Sequence, residues 1–165
     1  MIYSSACEYA IRAASYLASR HGAGSGRVKL REIAEAEDLP SPFLSAILNK
    51  LVAAGFLESS RGPSGGYWLT RPPAELTLYD IKAAVDGVAE LDACAAGRAV
   101  CSDETPCPLH DAWKPIRERI RHYLEETTLA DMAAAVEKKR TASSDDGLGE
   151  GEGPISTAPK PRGTR

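Results

Sequence analysis

The apolar positions along this chain fall into runs of helical period, separated by joints rich in glycine and proline. In residues 3–20, Ala6, Tyr9, Ala10, Ala13 and Leu17 recur every three or four places and predict one helix with a single buried face. HGAGSGR (21–27) breaks it. LREIAEAEDL (30–39) predicts a short second helix with Ile33, Ala34 and Leu39 turned inward. SPFLSAILNKLVAAGF predicts a third, with Ser41 as its cap, Pro42 in its first turn and Gly55 as its stop. The apolar stripe of that helix is Phe43, Leu44, Ile47, Leu48, Leu51 and Val52.

The period then changes. In FLESSRGPSGGYWLTR, two short strand-like runs, 56–60 and 67–71, flank a turn made by RGPSGG. Thr77 is placed to cap a helix over LYDIKAAVDG, with Leu78, Ile81 and Val85 inward. From 109 to about 127 a long helix is predicted, in which Leu109, Trp113, Ile116, Ile120 and Tyr123 make a heptad-like seam. TLADMAAAVEKKR (128–140) predicts a closing helix. Residues 141–165 are rich in Gly, Ser, Pro and charge, too polar to offset their ordering entropy, and are expected to be a disordered tail.

Two helices followed by a β-hairpin, after a first helix, is the order of a winged helix-turn-helix. The expected fold is mainly α with a small β-hairpin wing, plus a long dimerisation helix. Residues 1–72 form the DNA-binding part, and 73–140 carry a cysteine loop and the dimerisation helices. In that frame the third helix enters the major groove, and Ser41, Ser45, Asn49 and Lys50 are candidates to reach bases or phosphates. The wing offers Arg61, Gly62, Ser64 and Gly65 to the adjacent backbone. The seam suits a homodimer, whose two-fold symmetry would match a two-fold operator in double-stranded DNA.

Composition adjusts this picture modestly. The hydrophobic share of 43% supports a small core, and the net charge of −3 argues against a strongly basic binder. The charge is uneven: residues 1–72 hold eight Lys/Arg against six Asp/Glu, and residues 73–165 hold twelve against seventeen. A weakly basic front half is compatible with phosphate contacts. No run is long enough for a membrane helix, and the opening MIYSSACEYAIRAA has no basic region followed by an apolar block, so a cytoplasmic address is expected. Thiols there stay reduced, which favours metal or redox chemistry over structural disulfides.

Three of the four cysteines sit with a histidine in CAAGRAVCSDETPCPLH (94–110). Thiolates are soft ligands that suit iron–sulfur clusters and zinc. The tight C-x2–4-C knuckle common in structural zinc sites is absent. A cluster, zinc, metal-free thiol sensing and incidental thiols all remain open on spacing alone. Cys7 reads as a small buried hydrophobe. No nucleotide-binding glycine motif, catalytic triad pattern or paired acids argue for an enzyme; an iron–sulfur electron carrier is the rival of another class.

RGPSGGYWLTR is similar to the wing sequence of the Rrf-two family of bacterial transcription regulators, typically RGxGGGYxL. LREIAEAEDLPSPFLSAILNKLVAAGFL resembles that family's helix-turn-helix, SSACEYAIRAASYLA its first helix, and VDGVAELDAC with two further cysteines and TLADM its sensor half. The resemblance implies a dimeric winged-helix DNA binder whose Cys94, Cys101 and Cys107 hold an iron–sulfur cluster. It implies two candidates for a fourth ligand: His110, as in the IscR-like two-iron members, and Glu8, as in the NsrR-like members. The gap from Cys94 to Cys101 is one residue longer than is usual in either group, which leaves a 2Fe-2S or a 4Fe-4S cluster open.

Overall fold

The computed structural model describes residues 2–21, 26–98 and 101–145. Its elements are α1 (Ser5–Ser19), α2 (Leu30–Glu37), α3 (Ser41–Ala53), β1 (Leu57–Ser60), β2 (Gly66–Leu69), α4 (Leu78–Val85), α5 (His110–Glu126) and α6 (Leu129–Asp145), with short 3-10 turns at Pro73–Glu75 and Ala89–Asp92. The fold is mainly helical, with one two-stranded antiparallel sheet. The closing helix runs through Asp145, five residues into the segment expected to be disordered; the remainder of that segment, 146–165, lies outside the described residues.

Helix α1 is the hub. Its buried face is built from Cys7, Ala10, Ala13, Ala14 and Leu17, mostly residues without long side chains. Small side chains let neighbours approach closely, and α2, α3, α4, α6 and β2 all pack on it. Ile33, Leu44, Leu48, Leu51, Leu57, Leu76, Leu78, Ile81, Leu124 and Leu129 close the same core. Residues from both predicted halves therefore share one hydrophobic centre.

The turn from α2 to α3 is made by Asp38, whose φ of 49° puts it in the left-handed conformation at the end of α2. Pro40, not Ser41, occupies the cap position of α3, and Ser41 is already helical. A cap residue must lie outside the helix with extended dihedrals, so Ser41, already helical, is one place too late to cap, and no side chain caps this helix. The strands pair Leu57 with Leu69 and Ser60 with Gly66. A third segment joins them: Val28 exchanges both backbone hydrogen bonds with Tyr67, at 2.9 and 2.8 Å. Thr77 and Asp80 form a capping box at the start of α4. Thr128 and Asp131 repeat that arrangement at the start of α6. The two starts are joined by bonds from Leu78 N to Thr127 O and from Leu129 N to Leu76 O.

Between α1 and α4 lies a small polar cluster. The Ser4 amide and hydroxyl both donate to the Asp86 carboxylate. The fully buried Lys82 ammonium lies 3.7 Å from the same carboxylate. Burial opposes ionisation of Asp86, but the two Ser4 hydrogen bonds and Lys82 outweigh it and lower its pKa. Burial, with the Asp86 charge adding to it, pushes the neighbouring Cys7 thiol up to about 12. Cys7 is fully buried, as expected of a small core residue.

Candidate DNA interface and cysteine site

Helix α3 presents Ser41, Pro42, Phe43, Ala46 and Asn49 to solvent, with Ser45 half-buried. Phe43 is 67% exposed, a large apolar side chain on the outer side of the helix that follows the turn. Lys50 is exposed too, but its ammonium lies 3.5 Å from the carbonyl of Val85, so it also ties α3 to the end of α4.

The turn of the hairpin exposes Arg61, Gly62, Pro63 and Ser64, while Gly65 and Gly66 are buried. The two buried glycines are required by the chain itself. A Cβ on Gly65 would overlap the Ser60 carbonyl, and one on Gly66, whose φ is +154°, would stand 2.6 Å from the Val28 oxygen. Arg27 and Lys29 come alongside the wing and line a shallow groove with Pro63, Ser64 and Gly65. The Arg27 guanidinium sits 4.7 Å from the Trp68 ring centre, which fixes its cationic end beside β2. Sequence reasoning missed these two cations. The signal was available only as a basic segment, RVKLR, whose place next to the wing depends on the Val28–Tyr67 bridge.

The cysteine loop is held at both ends by α5. Before Cys94, the Trp113 indole donates to Ala93 O at 3.2 Å and Arg121 pairs with Asp92 at 2.7 Å. After it, the His110 amide donates to Cys107 O, so Cys107 abuts the first turn of α5. Across the loop the Arg98 guanidinium donates to the carbonyls of Thr105, at 3.0 Å, and Pro106, at 3.3 Å. Cys94, Cys107 and His110 are 8%, 7% and 5% exposed.

Within this frame the four soft donors form two pairs. Cys94 Sγ and Cys107 Sγ are 3.6 Å apart. Cys101 Sγ and His110 Nδ1 are 3.4 Å apart. His110 Nε2 meets the Asp103 carboxylate at 2.7 Å, and Lys114 holds that carboxylate at 2.8 Å. The backbone amides of Arg98 and Ala96, and then the Cys107 thiol, lower the Cys94 pKa and favour its thiolate. Hydrogen bonds from Lys114 and then His110 lower that of Asp103. Among the described residues no three His, Cys, Asp or Glu side chains converge as a group able to hold one metal ion. Glu8 is exposed in the first turn of α1 and has no described hydrogen bond or ion pair to the loop.

The sequence model of the Rrf2 family, described as an iron-dependent transcriptional regulator, matches residues 3–135. The chain belongs to this family. A putative HTH-type transcriptional regulator of Aquifex aeolicus is 31% identical over 140 residues, covering 84% of this chain and 95% of that protein. A Mycobacterium tuberculosis regulator is 39% identical over 135 residues, 81% of each chain. IscR of Vibrio atlanticus is 33% identical over 105 residues, 64% of this chain and 60% of its own. Among solved structures, CymR, the global cysteine regulator of B. subtilis, superposes with a TM-score of 0.66 at 30% identity over 80% of this chain and 95% of that one. T. potens IscR gives 0.60 at 27% identity over 90% and 92%.

The family and its relatives are transcriptional regulators of the helix-turn-helix type, and this chain is one of them. Among the described residues no helix is long and apolar enough to cross a membrane. The apolar seam of α5 is only partly covered within one chain. Leu109, Ile116 and Tyr123 are 51%, 50% and 49% exposed, and Trp113 and Ile120 between them are half-buried.

Proposed function

We propose that this Rrf2 regulator is a homodimer in the cytoplasm whose operator affinity is set by a two-iron cluster on Cys94, Cys101, Cys107 and His110. The observation that carries this reading is the pairing of the donors. A tetrahedral metal with sulfur bonds of about 2.3 Å spaces two sulfurs by about 3.7 Å, and a sulfur and an imidazole nitrogen slightly less. The separations of 3.6 and 3.4 Å match two donors on each of two metal atoms. A four-iron cluster takes one protein ligand per iron and spreads its ligands apart. A single zinc asks four donors round one point, and these donors lie as two couples. The fit of the donor set therefore favours the two-iron cluster over both, and His110 over Glu8.

The cluster would supply a centre that oxidants, nitric oxide or iron shortage can alter. The chain's part is to hold it loosely at one corner, because an imidazole is released by protonation more readily than a thiolate. The Asp103 carboxylate accepts a hydrogen bond from His110 Nε2–H, a tautomer that turns the lone pair of Nδ1 toward Cys101. The loop is tied to α5, α5 packs on α4, and α4 packs on α3. A change in the loop then biases how two α3 helices and two wings are spaced on DNA. In that complex Ser41, Ser45, Asn49 and Lys50 serve the groove and Arg61, Gly62 and Ser64 the wing contact, whereas Gly65, expected from the sequence to join them, is buried and shapes the turn beneath them. Arg27 and Lys29 join them at the backbone.

Oxygen-free purification with iron and acid-labile sulfide analysis tests the cluster, followed by operator titration of loaded and cluster-free protein. His110→Ala is expected to lose iron and Glu8→Ala to keep it. Colourless protein with stoichiometric zinc, or equal operator affinity in both states, overturns the proposal. A second reading, thiol oxidation without a cluster, draws support from the likeness to CymR, for which an oxidised S. aureus form is among the similar structures, at 28% identity.

A further inference from the structure

The Cys94–Cys107 couple can do something that ligation does not require. Within the described residues it is the sulfur–sulfur contact of the protein, although Cys101 is nearer to both in sequence. Cys101 is instead directed at His110, and Cys7 is sealed in α1. The two arms of the loop are already laid side by side: Arg98 bonds the carbonyls of Thr105 and Pro106, while Gly97, at φ +73°, turns the chain just after Cys94. Closing the 3.6 Å gap to a bond of about 2.05 Å asks the sulfurs to approach by about 1.5 Å, within reach of side-chain rotation.

We propose that Cys94 and Cys107, when no cluster is bound, are a reversible disulfide switch that leaves Cys101 as the free thiol. The oxidant is a hydroperoxide. One thiolate attacks the peroxide oxygen, the O–O bond breaks, and the sulfur becomes a sulfenic acid as water or an alcohol leaves. The second thiolate attacks that sulfur, forms the S–S bond and expels the oxygen as water. In sum two thiols and one peroxide give one disulfide, with both thiol protons ending on the departing oxygens. The bond occupies both donors of one metal position. The oxidised chain cannot accept a metal there until a dithiol reduces it, so oxidative loss of a cluster becomes a stored state. The inference needs only a cluster-free chain and stands whichever metal the loop takes.

The test uses full-length protein stripped of iron under reducing conditions, desalted and treated with one equivalent of hydrogen peroxide. Free thiols are alkylated, the protein is digested with trypsin and the peptides are read by mass spectrometry. Cleavage after Arg98 separates Cys94 from Cys101 and Cys107, so a cross-linked pair is visible and its fragment ions assign the partner. The expected product joins Cys94 to Cys107, carries alkylated Cys101, disappears on reduction, and forms at an unchanged rate in Cys101→Ser. A bond from Cys101 to either thiol, or no intramolecular bond, overturns the proposal. Oxidised protein should also take up iron and sulfide only after dithiothreitol. If neither oxidised nor reduced protein loads, the cluster reading fails while a mapped Cys94–Cys107 bond stands.

Discussion

Replacing Gly66 by alanine isolates the contact that sets the wing on the body of the protein. At φ +154° an L-residue is strained by about 1–3 kcal/mol. The added Cβ would lie 2.6 Å from the Val28 oxygen. That oxygen accepts the Tyr67 amide at 2.8 Å, and the return bond from Val28 N is 2.9 Å, so relieving the overlap loosens both. Two hydrogen bonds at about 1 kcal/mol each bring the expected loss to about 3–5 kcal/mol. For a domain of this size that is a fall in melting temperature of roughly 10–15 °C. Gly62 is the internal control. Its φ is +103° but no atom lies within 4 Å of the added carbon, so Gly62→Ala should cost only the strain, about 1–3 kcal/mol. The assay is thermal unfolding of both variants beside operator binding at fixed salt. Gly66→Ala should also weaken binding, because Arg27 and Lys29 flank Val28 and would shift with it. If the two variants melt together, the Val28 contact does not anchor the wing and the reasoning is wrong.

Other outcomes follow from the contacts described above. In the proposed dimer, half-exposed Ile116 has about 1 kcal/mol of burial still to gain in each subunit, so Ile116→Ala should raise the dissociation constant about thirtyfold, measured by sedimentation; an unchanged constant removes the α5 seam from the interface. With the proposed cluster loaded, Asp103→Ala frees His110 Nε2 and should speed iron release to a chelator about 10–100-fold, followed by loss of visible absorption, with the fold unchanged by circular dichroism. Asp86→Asn should destabilise the chain by about 3 kcal/mol at pH 7. Because the folded pKa of Asp86 is lowered, its contribution is complete above the ordinary carboxylate range and is lost as pH falls through the folded value. The gap between wild type and variant in chemical denaturation should therefore close below about pH 4. A gap that persists in acid assigns the loss to packing instead.

Local signals along the chain lay out the elements and their order. Helical period marked α1 to α6, and the Gly–Pro run between strand-like segments marked the hairpin, because these signals are local and each residue's neighbours carry them. It also supplied the inventory of soft donors, since cysteine and histidine keep their chemistry wherever they lie. Which of them meet depends on how distant segments pack. Cys94 contacts Cys107 across thirteen positions and not Cys101 across seven, because Arg98 folds the loop back on itself and α5 grips both its ends. The fold also turned Lys82, a charged residue in an amphipathic pattern, into a fully buried partner of Asp86, and drew Arg27 and Lys29 to the wing through Val28. Those facts rest on contacts between segments distant in the chain, and no spacing rule along a single strand of sequence encodes them.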